Sequence, residues 1–397
     1  MAWGTKDVSE QRMKFVIRAA SGKEEMSALC QEFEISRPTG YNWLARYRQC
    51  ERITELEEKS RRPQRSPRQT AAALEERVVE LRQQYPDWGA KKLRVLLLRE
   101  GIELPRITLH RILLRRGLVR EQDRHRPAVK RFERAEPNEL WQMDFKGMPE
   151  SRPGCLPLTI LDDYSRYLVG LLELGGTQAE PVRQSLQSVF EQNGVPEAML
   201  MDHGTPWWNM RSESGWTWLT VWLMRQGIRL HLSGYRHPQT QGKVERSHGS
   251  LEAAMRRRRK TEGQGWQSWL DAFREEYNQV RPHEALGMEV PAQRWHSSPR
   301  GFQLHPPAWD YPDPAQVRTV RENGGIQVRG RNYFVSRALI GERLQMQWLE
   351  DRILVLFCNT VVREFDLRSG SSRHIDYGQM DRARSQGLLG VAEQREK

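Results

Sequence analysis

The stretch HPQTQGKVERSH, residues 237–248, runs from a Pro- and Gly-containing loop into the first turn of a helix. Val244, Leu251 and Met255 continue it as an apolar stripe at helical spacing, with Glu245 beside them and Gly249, Glu252 and Arg256 near it on the adjacent face. Two more acids occupy comparable places upstream. Asp144 closes the apolar run LWQMDF (residues 140–145), and Asp202 closes AMLMDHG (residues 198–204) just before Gly204. Both runs read as strands. Acids delivered from two strand ends and a helix can converge on a pair of hard divalent cations. Such a pair clamps the attacking and leaving oxygens of a phosphoryl transfer. Magnesium takes carboxylate oxygens and keeps several waters, so no His or Cys ligand is required.

A chain of 397 residues is too long for one ordinary core and reads as multidomain. Its formal charge of +12 favours a polyanionic partner, most simply nucleic acid, although a basic surface on an ordinary soluble protein gives the same balance. The four cysteines, Cys30, Cys50, Cys155 and Cys358, lack CxxC spacing, which argues against a zinc or disulfide framework and fits a reducing cytosol. The N-terminus has no apolar signal core, and no stretch approaches the roughly 20 apolar residues of a membrane span, so a cytoplasmic location is expected.

Residues 1–57 read as a helix-turn-helix unit. Met13, Val16, Ile17 and Ala20 make one helical stripe, Leu29 and Phe33 a second, and Ser36 with Pro38 opens the helix TGYNWLARYRQC, residues 39–50. Such a second helix enters the major groove N-terminus first. Ser36, Arg37, Thr39, Asn42 and Arg46 are therefore candidate DNA contacts, while an ordinary helical bundle remains the alternative. Residues 58–70 form a basic linker. Residues 71–119 repeat the pattern, with Lys91, Lys92, Arg94, Arg106 and Arg111 as candidate phosphate contacts, and 120–136 is a second basic linker.

Residues 137–300 read as a mixed sheet with helices: three strands, a helix from Glu180 closed by Gly194, a strand ending in Asp202, a helix over Ser214–Arg225, a strand, and the long helix of Glu245. Asp162 and Asp163 suit the turn between strands two and three better than a ligand role. Lys243 and Arg246 flank Glu245 and suit DNA phosphates, and Arg256–Lys260 is a basic helix end. Residues 315–370 alternate as five short strands, predicting a small all-β barrel, and 371–397 is a polar tail.

This element order, with HPQTQGKVER, Asp163-Tyr164-Ser165-Arg166, Trp43-Leu44, Tyr277-Asn278 and Arg281-Pro282-His283, resembles bacterial insertion-sequence transposases that carry a retroviral-integrase-like (DDE) catalytic core. The resemblance spans about residues 10–370. It implies an α/β RNase H-like core with a mixed five-stranded sheet between all-α helix-turn-helix units and an SH3-like barrel. It implies that Asp144, Asp202 and Glu245 hold two Mg2+ ions, with Mn2+ as a substitute, and that a homo-multimer binds double-stranded DNA at the transposon ends. The ends would be hydrolysed and the freed 3′-hydroxyl joined to target DNA. A DNA-binding repressor or inactive copy is the alternative, and a nuclease of the same fold is a third reading. One departure stands out: 42 residues separate Asp202 from Glu245, against about thirty-five in the family pattern. The surplus falls in the Trp-rich stretch Trp207–Trp218, which leaves Glu213 as a competing third acid.

Overall fold

The computed structural model describes residues 8–49, 70–119, 133–147, 155–232, 242–257 and 263–374. The linkers expected at 58–70 and 120–136 lie almost wholly outside these residues, as do the loop 233–241 with His237, residues 258–260 of the basic helix end, and the tail from 375. The chain divides into two compact units, Met1–Ala71 and Ala72–Lys397.

In the first unit, α1 (Val8–Ser21), α2 (Met26–Glu32) and α3 (Arg37–Gln49) close around Phe15, Val16, Leu29, Cys30, Ile35 and Leu44. Ser36 Oγ accepts the Thr39 amide at 3.3 Å, satisfying a donor that the start of α3 would otherwise leave unpaired. Three helices form as the spacing predicts, but the first buries Phe15, Val16 and Ala19, while Ile17 and Ala20 of the expected stripe are exposed.

The second unit opens with α4 (Ala72–Gln84), α5 (Ala90–Arg99) and α6 (Arg106–Arg115), packed around Trp88, Leu93, Leu97, Leu109 and Ile112. The mixed sheet follows: β1 (Trp141–Phe145), β2 (Leu156–Asp162), β3 (Leu168–Leu174), α7 (Ala179–Asn193), β4 (Ala198–Met201), α8 (Trp218–Arg225), β5 (Arg229–Leu232), α9 (Gly242–Arg257) and α10 (Trp266–Glu275). The order across the sheet is β3-β2-β1-β4-β5, antiparallel on the β3 side and parallel from β1 to β5. One face packs on α7 and α8 through Trp141, Met143, Leu158, Ile160, Leu186 and Phe190. The other carries α9 and α10 on Leu161, Leu168, Leu171, Leu251 and Trp269.

The helix expected from Ser214 begins instead at Trp218. Thr217 caps it, its hydroxyl accepting the Thr220 amide while the Thr220 hydroxyl accepts the Thr217 amide. Trp218, the first residue of the helix, is exposed, while Leu219, Val221 and Leu223 are buried.

The C-terminal region adds two short edge strands to the five that alternation predicts. These strands are β6 (Val317–Thr319), β7 (Gly325–Val328), β8 (Arg331–Phe334), β9 (Arg343–Leu349), β10 (Arg352–Phe357), β11 (Thr360–Asp366) and β12 (Ser372–Arg373). They form a five-stranded sheet, β12-β11-β10-β9-β6, and a β7-β8 hairpin. Runs of two or three residues are too short to show a period of two, so β6 and β12 carry no sequence signal.

These C-terminal sheets are fused to the central fold rather than tethered to it. Val320, Ile326, Leu344, Val355 and Phe365 belong to the same apolar core as Trp141 and Phe190. Trp216 Nε1 donates to the Val362 carbonyl at 3.0 Å, and the Leu230 amide of the edge strand β5 donates to Thr360 Oγ1 at 3.1 Å. The second helical unit is likewise bound to the core. Asp87 accepts from Arg281 at 2.9 Å and pairs with Arg257 at 3.5 Å, and Arg281 lies over the Trp88 ring. Arg99 donates to the Val280 carbonyl at 3.1 Å.

Candidate active site

Parallel pairing of β1 with β4 matches Trp141 to Met199 and Gln142 to Leu200. Carried two residues on, the same register sets Asp144 beside Asp202, on strands ~4.8 Å apart. Asp144 is half-buried, and its carboxyl is pushed up from 3.8 to about 6. Burial is the largest cause; the negative charges of Asp202 and Glu245 add to it. Charge coupling of this kind means that the three acids share one electrostatic neighbourhood. Glu245 stands in the exposed first turn of α9, where the positive end of the helix suits an acid. Glu213 is elsewhere: its carboxylate pairs with Arg363 of β11 at 3.3 Å.

Among the described residues, no three His, Cys, Asp or Glu groups stand close enough to hold a cation. The acids form a loose cluster, not an assembled cage. Its donors are all carboxylate oxygens, suited to a hard cation, and a cation between them would relieve the repulsion that raises Asp144. The group therefore fits a divalent ion at Asp144 and Asp202, with Glu245 drawn in from the helix.

Asp202 is the most firmly held of the three. Its Oδ1 accepts the Gly204 amide at 2.9 Å and Trp207 Nε1 at 2.8 Å. A Cβ on residue 204 would stand 2.8 Å from Asp202 Oδ1, so glycine is required for this close approach.

Glu245 is positioned through its own helix. Lys243, two residues earlier, pairs at 2.5 Å with Asp163, a fully buried acid in the β2–β3 turn. Asp163 also accepts Gln142 Nε2 at 2.7 Å and the Arg134 amide at 2.9 Å. Burial pulls the Lys243 ammonium down to about 8 despite this partner. The pair pins the start of α9 to the sheet. Asp163→Ala is expected to destabilise the protein by ~3–5 kcal/mol, since it strands a largely buried charge. Denaturant unfolding measures it, and a loss below about 1 kcal/mol would remove the pair as an anchor. Asp162 behaves as the turn residue it was expected to be, accepting the Ser165 and Asn138 amides at 2.7 and 2.8 Å.

His248 was not among the sequence candidates. It is buried on α9, its Nε2 bonds Thr159 Oγ1 at 3.0 Å, and its Nδ1 lies 3.9 Å from Asp144 Oδ2. Burial lowers its pKa to about 4, so the ring is neutral at physiological pH and adds no counter-charge. The sequence did carry a signal: His248 stands four residues after Val244 and three before Leu251, on the helix's buried stripe.

The expected DNA contacts have varied surroundings. In the first unit, Ser36, Arg37 and Asn42 are exposed, Thr39 shares its hydroxyl with Ser36, and half-buried Arg46 lies over the Trp43 ring at 4.9 Å. In the second, Arg111, Arg106 and Arg246 are exposed, and Arg94 donates to the Leu104 carbonyl. Lys91 pairs with Glu284 at 2.6 Å, and half-buried Lys92 is brought down to about 7 by burial and Arg281.

The Integrase core domain family matches residues 134–238 and again 226–291, bracketing all three acids. A Homeodomain-like domain matches 39–113 and a Helix-turn-helix domain 11–64. An uncharacterized 31.7 kDa protein of insertion element IS407 from Burkholderia multivorans is 27% identical over 230 residues, spanning 55% of this chain and 79% of that protein. The chain carries an integrase core domain behind helix-turn-helix domains and is similar to proteins of insertion elements. Its similarity extends to an uncharacterized 39.2 kDa protein of insertion element IS476 from Xanthomonas euvesicatoria, 27% identical over 236 residues, 57% of this chain and 66% of that one. Among solved structures, the HTLV-2 integrase catalytic core domain in complex with magnesium aligns with 41% of the chain and 99% of its own length, at 13% identity and TM-score 0.33. A simian T-cell lymphotropic virus intasome chain aligns with 76% of this chain and 96% of its own, at 15% identity and TM-score 0.36. No helix among the described residues is long and apolar enough to cross a membrane.

The raised Asp144 carboxyl gives the site a definite pH response. A proton on this group competes with a cation, so cation affinity should fall as pH drops through about 6, approaching tenfold per unit below it. The metal-free protein responds oppositely. A folded-state value above the ordinary 3.8 makes this group's contribution full below about 4 and lost as pH rises through about 6. Melting curves at pH 5 and pH 7, with and without Mg2+, measure both signs; a metal-induced gain equal at the two pH values would refute the assignment.

Proposed function

We propose that the protein binds the terminal inverted repeats of its own mobile element, hydrolyses the DNA ends and joins the freed 3′-hydroxyl to target DNA. The observation that carries this reading is the placement of Asp144 and Asp202 on neighbouring strands of a mixed β3-β2-β1-β4-β5 sheet, with Glu245 on α9 adding to the charge felt by Asp144, within the two integrase-core matches. Asp144, Asp202 and Glu245 would hold two Mg2+ ions, for which Mn2+ can substitute. When bound, such ions lower the pKa of the attacking hydroxyl and stabilise the leaving oxygen.

The chain's own residues supply position. Asp144 and Asp202 project from adjacent strands at a spacing that the sheet fixes. Lys243, bound to Asp163, holds the first turn of α9 so that Glu245 can swing toward them without losing its helix. Buried His248, bonded to Thr159, stands 3.9 Å from Asp144 Oδ2 and adds no positive charge there.

DNA contacts are assigned to Ser36, Arg37, Thr39, Asn42 and Arg46 of the first helix-turn-helix and to Lys91, Lys92, Arg111 and Arg246, whereas Lys243, expected as a contact, is committed to buried Asp163. For Lys91 this requires release from Glu284. A division into 1–57, 71–119, 137–300 and a small β-barrel over 315–370 belongs to the same reading, with the barrel offering contacts to DNA or to further copies. Joining two ends at once calls for a homo-multimer, working in the bacterial cytoplasm and on the nucleoid when DNA-bound.

Strand joining tests the proposal. Purified protein, Mg2+ and duplexes carrying the DNA that flanks the gene are incubated with a plasmid. Joined products support the reading. Specific end binding without any joining would move the assignment to a repressor or inactive copy.

A further inference from the structure

We infer that Trp207 is a positioning residue of the catalytic site, its indole N–H fixing the Asp202 carboxylate while its ring, stacked on Phe145, ties that carboxylate to the strand end that carries Asp144. Trp207 is 1% exposed, and its Nε1 donates to Asp202 Oδ1 at 2.8 Å. Its ring lies on Phe145 with centroids 5.2 Å apart and planes 10° from parallel. Phe145 follows Asp144 directly, so one side chain touches both acid-bearing segments. The Trp207 carbonyl accepts Thr217 Oγ1 at 3.4 Å, so the residue is anchored at the cap of α8 as well.

A buried indole N–H has no water to bond instead, so breaking the contact costs the full desolvation of the donor. The bond is therefore persistent, and it selects an orientation. With Trp207 and Gly204 both donating to Oδ1, Oδ2 is the oxygen left for a cation. An aromatic ring without a donor would fill the same space and stack on Phe145, but would leave the carboxylate free to rotate. The Trp-rich stretch that lengthens the Asp202–Glu245 interval thus has a task at the site itself.

The test is cation binding by Trp207→Phe, followed by calorimetry with Mn2+ and Mg2+ and by melting curves of the metal-free protein. The inference rests on the cation-dependent reading above, and the two fail differently. If wild-type protein binds neither ion, that reading fails. If wild type binds and Trp207→Phe binds equally, only the role of Trp207 fails. The expected result is a loss of about 10–100-fold in cation affinity, the range for residues that orient a metal ligand, with the metal-free melting temperature little changed. Joining by the variant should recover as Mg2+ is raised toward saturation, separating positioning from loss of fold. A metal-free melting temperature that falls while cation affinity stays at the wild-type value would overturn the inference in favour of packing alone. Should Trp207→Phe not fold, Phe145→Leu carries the test: it keeps the N–H, removes the stacking platform, and should weaken cation binding by a smaller factor. Unchanged binding in that variant would likewise count against the bridge.

Discussion

Glu245→Gln is expected to lower strand joining by ~10^3-fold or more while leaving end binding intact. A ligand to a catalytic metal contributes several kcal/mol to stabilising the transition state, and each ~1.4 kcal/mol is a factor of ten in rate. Glutamine keeps the length and shape of glutamate but loses its charge. Glu245 is exposed at the start of α9, so the substitution should change stability by no more than about 0.5 kcal/mol. Gel-shift and joining assays on the same preparation separate the two effects. Glu213→Gln is the matched control, because that acid pairs with Arg363 of β11 and stands outside the cluster. Full joining by Glu245→Gln, or its loss in Glu213→Gln alone, would reassign the third acid.

A large loss of stability is also expected from Gly215→Ala. Gly215 has φ +75°, and a Cβ there would stand 1.9 Å from Trp208 Cζ2 and 2.1 Å from its Cε2. The ring cannot retreat, since Trp208 packs edge-on against Trp216, whose own N–H is committed to the Val362 carbonyl. Strained backbone and overpacking together should cost ~3 kcal/mol or more and lower the melting temperature by about 5 °C or more. The damage should spread to chemistry, because this stretch runs from Trp207 on Asp202 to the cap of α8. A melting temperature within about 1 °C of wild type would mean that the tryptophan stretch is a loose insertion after all.

That stretch is where sequence and structure differ most instructively. Its length was legible as a surplus between Asp202 and Glu245, and the three acids could be marked in the sequence without it. The helix start was misplaced because Ser214 and Thr217 are both acceptable caps in isolation, and only the reciprocal bonds between Thr217 and Thr220 select one. Lys243 and Lys91 look like phosphate ligands in sequence because a basic residue near the start of a helix has no visible partner there. Their partners, Asp163 and Glu284, are 80 and 193 residues away. His248 was passed over because a histidine on an apolar stripe reads as core, and its nearness to Asp144 arises from the packing of α9 across β1 and β2. The C-terminal strands were recognised where they alternate. Their sharing of one core with the central sheet was not legible, because apolar residues at the right period do not say which surface they cover.

By itself, the sequence determined the elements and their order. Helical stripes, alternating strands and breakers act over a few residues, and local chain geometry turns them directly into secondary structure. It also marked the three acids, since each ends or begins such an element. The tertiary structure alone decided what surrounds them: Trp207 and Gly204 on Asp202, Asp163 under Lys243, His248 beside Asp144, and the C-terminal sheets joined to the core through Trp216 and Thr360. Apart from the local bonds of Gly204 and Trp207 to Asp202, those contacts join residues far apart in the chain. They exist because buried donors, acceptors and charges must find partners once water is excluded, and which partners are within reach depends on how the whole chain packs.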